Sequence, residues 1–162
     1  MTHAGSAHTI AGNANLSGDI RVQWATPVDA AFHARFAARQ RHYRYVILNR
    51  DSGSALLQKR ACREYIRLDE SRMAVAAGHL EGEHDFTSFR AAACQAHSPV
   101  RTIYQLEVRR SGDFIYIDVQ ANAFLHHMVR CIAGVLIAVG RGEQSPVWVA
   151  EVLAATDRKL GG

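Results

Sequence analysis

The sequence has 162 residues, of which 48% are apolar, and a formal net charge of +4. This length and apolar fraction are sufficient to form the buried core of one domain. No apolar run reaches the length of a membrane-spanning helix. The three cysteines form no CxxC pair, which argues against a disulfide framework or a zinc ribbon and for reduced thiols in a cytosolic protein.

The basic residues are almost all arginines, since Lys59 and Lys159 are the two lysines among the 19 basic residues. A planar guanidinium fits phosphate and stacks on bases, so this bias favours a nucleic-acid partner. The codon usage of a GC-rich genome is an equally open explanation.

Residues 1–12 are small and polar, and we expect a disordered leader there, without the basic and apolar segments of a signal peptide. Residues 13–162 are expected to form one α/β domain. The first predicted strand is Asp19–Thr26, because Ile20, Val22 and Trp24 alternate with polar residues.

The second predicted strand is Arg41–Leu48, and its pleat places Tyr43, Tyr45 and Ile47 on one face. It lies in a span from Ala30 to Arg50 that has no acidic residue and interleaves aromatic residues with arginines. Such a span is typical of surfaces that bind splayed-out RNA bases and their phosphates. The alternative is an ordinary strand with tyrosines in the core and arginines in solvent.

Residues 51–60 are predicted to form a loop, followed by a short strand within Cys62–Arg67. Asp69–Leu80 is predicted to be a helix with Asp69 as its N-cap. The next segment, from Glu83, is predicted to be irregular, with a single turn around Thr87. Phe86 is interpreted mainly as a core residue and alternatively as a contact to a base. His84 and Asp85 lack a second ligand pair, so we expect no metal site.

A hairpin is predicted from Thr102 to Ala121, with its turn at residues 111–113. Its first strand is expected to point Tyr104, Leu106 and Val108 inward. A last helix, Val147–Ala155, is predicted to begin after Ser145 as N-cap and Pro146 in its first turn.

Between the hairpin and this helix, the stretch Asn122–Gly140 is predicted to be one continuous helix, because its apolar residues recur at helical spacing. His126, Arg130 and Gly134 are four residues apart and are therefore expected to share one line on this helix. The spacing leaves open whether this line faces a ligand or only water. The order of elements predicts an α+β fold in which helices pack on one face of a mixed or antiparallel sheet.

Four motifs in this order, NANLSGDIRVQW, FHARFAARQRHYRYVI, HDFTSFR and NAFLHHMVRCIAGVLIAVG, resemble the tRNA pseudouridine synthase A family, whose enzymes isomerise uridines in the anticodon stem-loop. The resemblance covers roughly residues 13–160 and corresponds to the second half of that family's proteins. It implies a pseudouridine-synthase-like fold, a cytoplasmic homodimer that binds tRNA, and chemistry without a metal or an organic cofactor.

The resemblance also implies site residues. The family's uracil-stacking tyrosine falls on Tyr43, and its arginine that pairs with the catalytic carboxylate falls on Arg130. His33 and Arg35 match positions that line the same cleft, and Leu136 matches an apolar position behind it. Together with the basic span, the candidate RNA-binding residues are His33, Arg35, Arg39, Arg41, Arg44, Phe86, Arg90, His126 and His127.

The family's nucleophilic aspartate lies in a Gly-Arg-Thr-Asp-x-Gly-Val-His motif upstream of NAN, and this sequence has no such motif. We therefore expect a truncated synthase in which Tyr43 and Arg130 are present and their carboxylate partner is not. Three hypotheses follow: an enzyme whose carboxylate comes from elsewhere, a catalytically inactive RNA-binding remnant, and a structural or dimerisation module.

Overall fold

The computed structural model describes residues 12–161, and the chain divides into a unit that ends at Ala38 and a second unit that begins at Arg39. Residues 1–11 of the predicted leader, and Gly162, lie outside the described residues. The assignment of a leader and one domain therefore stays a prediction. Each unit is described by itself.

The first unit contains no strand within residues 12–38, so the predicted strand Asp19–Thr26 is wrong. Val22 instead bonds to a side chain: its N–H donates to Asn13 Oδ1 at 2.7 Å, and its carbonyl accepts from Asn13 Nδ2 at 2.9 Å. Ile20 and Trp24 are exposed. A segment with alternating apolar residues forms a strand only when a neighbouring strand pairs with its backbone. Here the side-chain amide of Asn13 makes the hydrogen bonds to Val22 that a neighbouring strand would make.

The second unit contains a five-stranded sheet and three α-helices within residues 39–161. In chain order the elements are β1 (Arg41–Asn49), β2 (Cys62–Glu64), α1 (Glu70–Gly78), β3 (Gly82–Asp85), a 3₁₀ turn (Thr87–Phe89), β4 (Val100–Ser111), β5 (Phe114–Ala121), α2 (Met128–Gly140) and α3 (Trp148–Ala155).

The sheet is mixed, with the strand order β2-β1-β5-β4-β3. β1 and β2 are parallel, and the other neighbours are antiparallel. The alternate residues Ile115, Ile117 and Val119 of β5 are completely buried and pack with residues of all three helices in one core. The predicted α+β class is confirmed.

The pairing of β1 with β5 confirms the predicted faces of β1. Tyr43 and Tyr45 lie opposite Val119 and Ile117, on the face that carries the core. Arg44 lies opposite Asp118, on the other face. The two tyrosines therefore approach the helices, and the arginine between them points away from the helices.

The prediction for β4 is wrong at Tyr104, which is 53% exposed while Ile103 is buried. The strand has an irregularity between Ile103 and Gln105, where the register with β5 shifts by one residue. A β-bulge adds one residue to a strand and so reverses which residues face the core. Leu106 remains buried because it lies beyond the bulge.

The helix α1 confirms its predicted cap, since the carboxylate of Asp69 accepts a hydrogen bond from the N–H of Arg72 at 3.0 Å. The single turn at Thr87 is also confirmed.

The segment that forms β3 is predicted to be irregular, and this prediction is wrong. The strand forms by pairing with β4 over four residues and begins at Gly82, which has a φ of +101°.

The two C-terminal helices differ from prediction mainly at their starts. α3 begins at Trp148 with Val147 as its N-cap and no side-chain cap, so the predicted cap at Ser145 is wrong by two residues. Ser145 Oγ instead accepts from Trp148 N–H at 3.3 Å in the turn that precedes the helix. α2 begins at Met128 rather than Asn122, so His126 does not share a helical line with Arg130. His127, with a φ of 61°, has left-handed backbone geometry that interrupts the predicted helix.

Two glycines of α2 provide a matched test of the packing. A Cβ at Gly140 would lie 2.7 Å from Sδ of Met73 in α1, whereas a Cβ at Gly134 would meet nothing within 4 Å. We expect Gly140→Ala to lower the free energy of unfolding by about 1–3 kcal/mol through overpacking. Gly134→Ala is expected to raise it by up to about 1 kcal/mol through helix propensity. Urea unfolding of both variants measures this, and equal effects would contradict the close packing of α1 on α2.

Candidate active site

A cavity of about 970 Å³ lies beside the first half of β1 in the second unit. Three segments line it: β1 itself, the loop that precedes β2, and the segment that leads into α2. The lining residues are Arg41, Tyr43, Arg44, Tyr45, Val46, Lys59, Arg60, Ala61, Cys62, Ala123, Phe124, Leu125, His126, His127, Met128, Val129 and Arg130.

Among the described residues that line this cavity, the charged ones are all basic, and none is an aspartate or glutamate. Its cationic residues come from all three segments: Arg41 from β1, Lys59 and Arg60 from the loop, and Arg130 from the start of α2. A concave surface lined by charges of one sign concentrates ligands of the opposite sign. The cavity therefore suits a polyanion or a carboxylate.

The segment before α2 is held in place by backbone hydrogen bonds. Asn122 donates its N–H to Thr102 O at 3.1 Å, and its side-chain oxygen accepts from the N–H groups of Thr102 and Ala123. The carbonyl of His126 accepts from Ala91 N–H at 3.0 Å. These bonds tie both ends of the segment to β4 and to the 3₁₀ region, so its side chains occupy defined positions.

Arg130 lies in the first turn of α2 and is exposed. Across residues 12–161 its guanidinium makes no hydrogen bond and no ion pair, in contrast to Arg44, Arg110 and Arg141, which all bond to carboxylates. An exposed guanidinium at the mouth of a basic cavity is available to pair with a carboxylate or a phosphate.

Tyr43 lies in the wall of the cavity and is 51% exposed. Its ring contacts Phe124 edge-on, with the ring centroids 5.2 Å apart. This contact fixes the ring plane while half of the side chain stays accessible. Such an exposed aromatic face can stack on a nucleobase.

Tyr45 lies two residues further along the same face of β1 and is partly buried. Burial, together with its hydrogen bond to the Cys62 thiol, raises the pKa of Tyr45 to about 12, although the nearby charge of Arg130 opposes this. Tyr45 therefore keeps a neutral hydroxyl at physiological pH.

His126 and His127 stack with ring centroids 4.0 Å apart. The charge of His126, followed by desolvation and the charge of Arg130, lowers the pKa of His127. His127 is therefore neutral at pH 7, when its ring can donate and accept hydrogen bonds.

The predicted RNA-binding arginines have different surroundings. Arg41 donates to the carbonyl of Asn122 at 3.3 Å and so joins β1 to the segment before α2. Arg90 donates to the carbonyl of Cys94 at 3.3 Å and does not line the cavity. Arg39 is exposed at the start of the second unit.

Arg44 lines the cavity, but its guanidinium binds Asp118 on the opposite face of the sheet at 2.7 and 3.0 Å. This pairing lowers the pKa of the Asp118 carboxyl, with smaller contributions from Arg109 and His42. Arg44 and Arg109 also lie over the ring of Tyr116. A structural role on this face accounts for all of these contacts.

Phe86 requires a correction, because its side chain is completely buried and packs edge-on against Phe89. A ring with no exposed surface cannot stack on a base, so the structure supports the interpretation of Phe86 as a core residue.

His33 and Arg35 belong to the first unit. There the Nδ1 atom of His33 accepts from Arg35 N–H at 3.2 Å, and both side chains contact the ring of Phe36. Their place in a cleft remains a prediction.

Sequence reasoning missed several residues that line the cavity: Tyr45, Lys59, Arg60, Cys62 and Phe124. The adjacent basic pair in the loop after β1 was the available signal for Lys59 and Arg60.

Among the described residues there is no group of His, Cys, Asp and Glu that could hold a metal ion. Within the same residues, no helix is long and apolar enough to span a membrane.

The raised pKa of Tyr45 predicts a pH-dependent stability. A folded pKa above the unfolded value of 10.0 means that this contribution is complete below pH 10 and is lost as the pH rises towards 12. We expect the wild-type free energy of unfolding to fall relative to that of Tyr45→Phe over this range, as measured by urea unfolding at several pH values. Parallel pH profiles would contradict the buried position of the hydroxyl.

Comparison with known proteins adds independent evidence. The family model described as tRNA pseudouridine synthase matches residues 76–161, which include Arg130. The chain is 57% identical over 151 residues to tRNA pseudouridine synthase A of Nitrosococcus oceani, covering 93% of this chain and 58% of the relative. It is 51% identical over 156 residues to the protein of the same name from Vibrio campbellii, covering 96% and 59%. It is also 51% identical to that of Coxiella burnetii, covering 93% and 58%.

The chain thus spans a little under three fifths of the length of these curated relatives. The family match covers more than half of the chain, and the relatives share at least half of their aligned residues with it. The chain therefore belongs to the tRNA pseudouridine synthase family.

Proposed function

We propose that this chain forms the uridine-binding part of a tRNA pseudouridine synthase that acts on the anticodon stem-loop. The single observation that carries the proposal is the presence of Tyr43 and the unpaired Arg130 in the lining of one acid-free, basic cavity. The names of the relatives supply the reaction and the substrate.

In this proposal the target uridine leaves the base stack and enters the cavity. Its uracil stacks on Tyr43, whose ring is already held by Phe124. The bond between C1′ of the ribose and N1 of the uracil breaks, the base rotates, and C1′ joins C5. C5 then loses its proton and N1 takes up a proton, so product and substrate have the same atoms and the reaction is an isomerisation.

Arg130 is assigned the role of holding the catalytic carboxylate. A guanidinium beside a carboxyl group lowers its pKa and fixes its oxygens, as a nucleophile requires. The cavity lining contains no carboxylate, and the 162 residues contain no Gly-Arg-Thr-Asp motif. We therefore expect turnover only when another polypeptide segment supplies the aspartate.

The remaining basic residues are proposed to contact tRNA around the cavity. His126 and His127 lie in its wall, and Arg41 fixes the neighbouring segment. His33, Arg35, Arg39, Arg44 and Arg90 stay proposals from the resemblance and the acid-free span. For Arg44, binding to RNA would compete with its bond to Asp118.

A second candidate function is RNA binding without turnover. The specific observation in its favour is again the absence of an acidic side chain from the cavity lining. Binding and stacking need only the basic and aromatic residues, whereas bond cleavage needs the carboxylate.

We also infer that the protein acts as a cytoplasmic homodimer, as the family resemblance implies. Exposed apolar side chains support self-association, notably Trp24 at 73% and Phe36 at 76% exposure in the first unit. Sedimentation over a range of protein concentrations tests this point, and a monomer at all concentrations would exclude it.

The decisive experiment measures tritium release from an anticodon stem-loop RNA labelled at C5 of its uridines. The chain is assayed alone and together with the part of the Nitrosococcus oceani relative that it does not match. We expect no release by the chain alone and release by the mixture. Binding without release in both samples would favour the second candidate, and the absence of binding would exclude both.

Arg130→Ala is expected to reduce turnover of the complemented enzyme about 10²–10³-fold, which is the typical cost of removing one charge-stabilising group. Its unfolding should change little, because the guanidinium has no partner among residues 12–161. Arg158→Ala, an exposed arginine outside the cavity lining, is the matched control. Unchanged turnover in Arg130→Ala would remove Arg130 from the site.

Tyr43→Phe is expected to keep the affinity for RNA, because the ring provides the stacking. Tyr43→Ala should weaken binding by about 1–3 kcal/mol, the usual worth of one stacked base. Fluorescence titration with the stem-loop measures both, and equal affinities of the two variants would show that Tyr43 does not stack on the base.

A further inference from the structure

The loop that precedes β2 contains a strained residue. Lys59 has a φ of 64°, in the left-handed region that lysine seldom adopts. Among the described residues, the other non-glycine residues with positive φ are His127 and Thr156. Lys59 and His127 both line the basic cavity. Strained backbone persists where the surrounding structure enforces it, and such positions concentrate at functional sites.

The backbone of the loop shows what enforces this geometry. The carbonyl of Leu57 accepts from Arg60 N–H at 2.9 Å and from Ala61 N–H at 3.1 Å, which closes a tight turn around Lys59. The next residue, Cys62, starts β2 and pairs with Ile47 of β1. Lys59 and Arg60 are therefore held two or three residues from a paired strand, rather than on a free loop.

The charges of this turn are uncompensated. Lys59 and Arg60 are both exposed and make no ion pair and no side-chain hydrogen bond within residues 12–161. By contrast, Arg50 and Arg63 in the flanking chain bond to backbone carbonyls of the same loop. The loop thus satisfies these two flanking arginines with its own carbonyls and leaves the two cations of the turn available to an external anion.

We propose that Lys59 and Arg60 form a phosphate-binding subsite of the cavity, which holds the RNA backbone next to the nucleotide that stacks on Tyr43. This inference rests on the proposed function. The residues favour a phosphodiester over a base, because both side chains are cations, and the phosphodiester is the charged group of RNA whereas the bases are neutral. The turn also contributes no aromatic ring on which a base would stack.

The proposed subsite adds a second group of cations to the lining of the cavity. Arg130 supplies a cation from one lining segment, and Lys59 with Arg60 supplies two more from another. A phosphate on each side of the flipped nucleotide would hold its ribose while the base enters. A preformed turn lowers the entropy cost of this binding, because the loop is already ordered.

The test is a salt series of stem-loop RNA binding with Lys59→Gln. We expect the dissociation constant to rise about 3- to 10-fold and the slope of log K against log[salt] to fall by about 0.7–0.9, as for the loss of one phosphate contact. Lys159→Gln is the matched control, since Lys159 is the other lysine of the chain and does not line the cavity. It is expected to match wild type.

Two further variants separate charge from backbone geometry. Lys59→Arg keeps the charge and is expected to keep both the affinity and the salt slope. Lys59→Gly removes the charge but adopts a positive φ without strain, so it is expected to fold at least as well as wild type while binding like Lys59→Gln.

The outcomes distinguish this inference from the function on which it rests. If wild type binds RNA and Tyr43→Ala weakens binding, but Lys59→Gln and Arg60→Gln keep the affinity and slope of wild type, the phosphate subsite is excluded and the proposed function stands. If Lys59→Gln instead weakens only the association with the complementing polypeptide, the turn binds protein and the inference fails. If wild type binds no RNA at all, the proposed function fails together with the subsite.

Discussion

The antiparallel pairing of β1 with β5 is the constraint on which the rest of the structure depends. It runs from Arg41 opposite Ala121 to Leu48 opposite Phe114. Because successive residues of a strand point to opposite faces, this register sends Tyr43 and Tyr45 to the helix side and Arg44 to Asp118. A slip of one residue would exchange these faces. It would remove both tyrosines from the cavity and bury a guanidinium.

The hydrogen-bonding partners of the arginines distinguish those that stabilise the fold from the one that is available to bind a ligand. Arg44, Arg110 and Arg141 each bond to a carboxylate, and Glu64, the partner of Arg141, is almost completely buried. Removing Arg44 or Arg141 would leave a largely buried carboxylate without its partner, so these arginines contribute to the fold. Arg130 lies at the start of a helix and has no such partner across residues 12–161. Its charge is therefore available for a ligand, and the absence of acidic residues around it makes that ligand an anion.

Two residues with left-handed backbone geometry shape the lining of the cavity. His127 interrupts the helical pattern just before Met128, and Lys59 closes a turn just before Cys62, both with left-handed geometry. In each case the neighbouring hydrogen bonds hold the residue in a conformation that an isolated chain would avoid. Side chains at the cavity rim are thereby fixed to a helix end and a strand end, which makes the site more rigid than ordinary loops would.

The sequence by itself determined the features that depend on near neighbours. Asp69 caps its helix and the hairpin closes at Gly112 because these patterns are complete within a few residues. The motifs around Tyr43 and Arg130 likewise predicted the family, which the comparisons confirm. Only the tertiary structure decided what depends on distant partners. The strand β3 exists because β4 pairs with it, and Tyr104 turns outward because a bulge shifts that same strand. The start of α2 and the place of Tyr45, Lys59 and Arg60 in one cavity depend on contacts between segments far apart in the chain, which no local pattern contains.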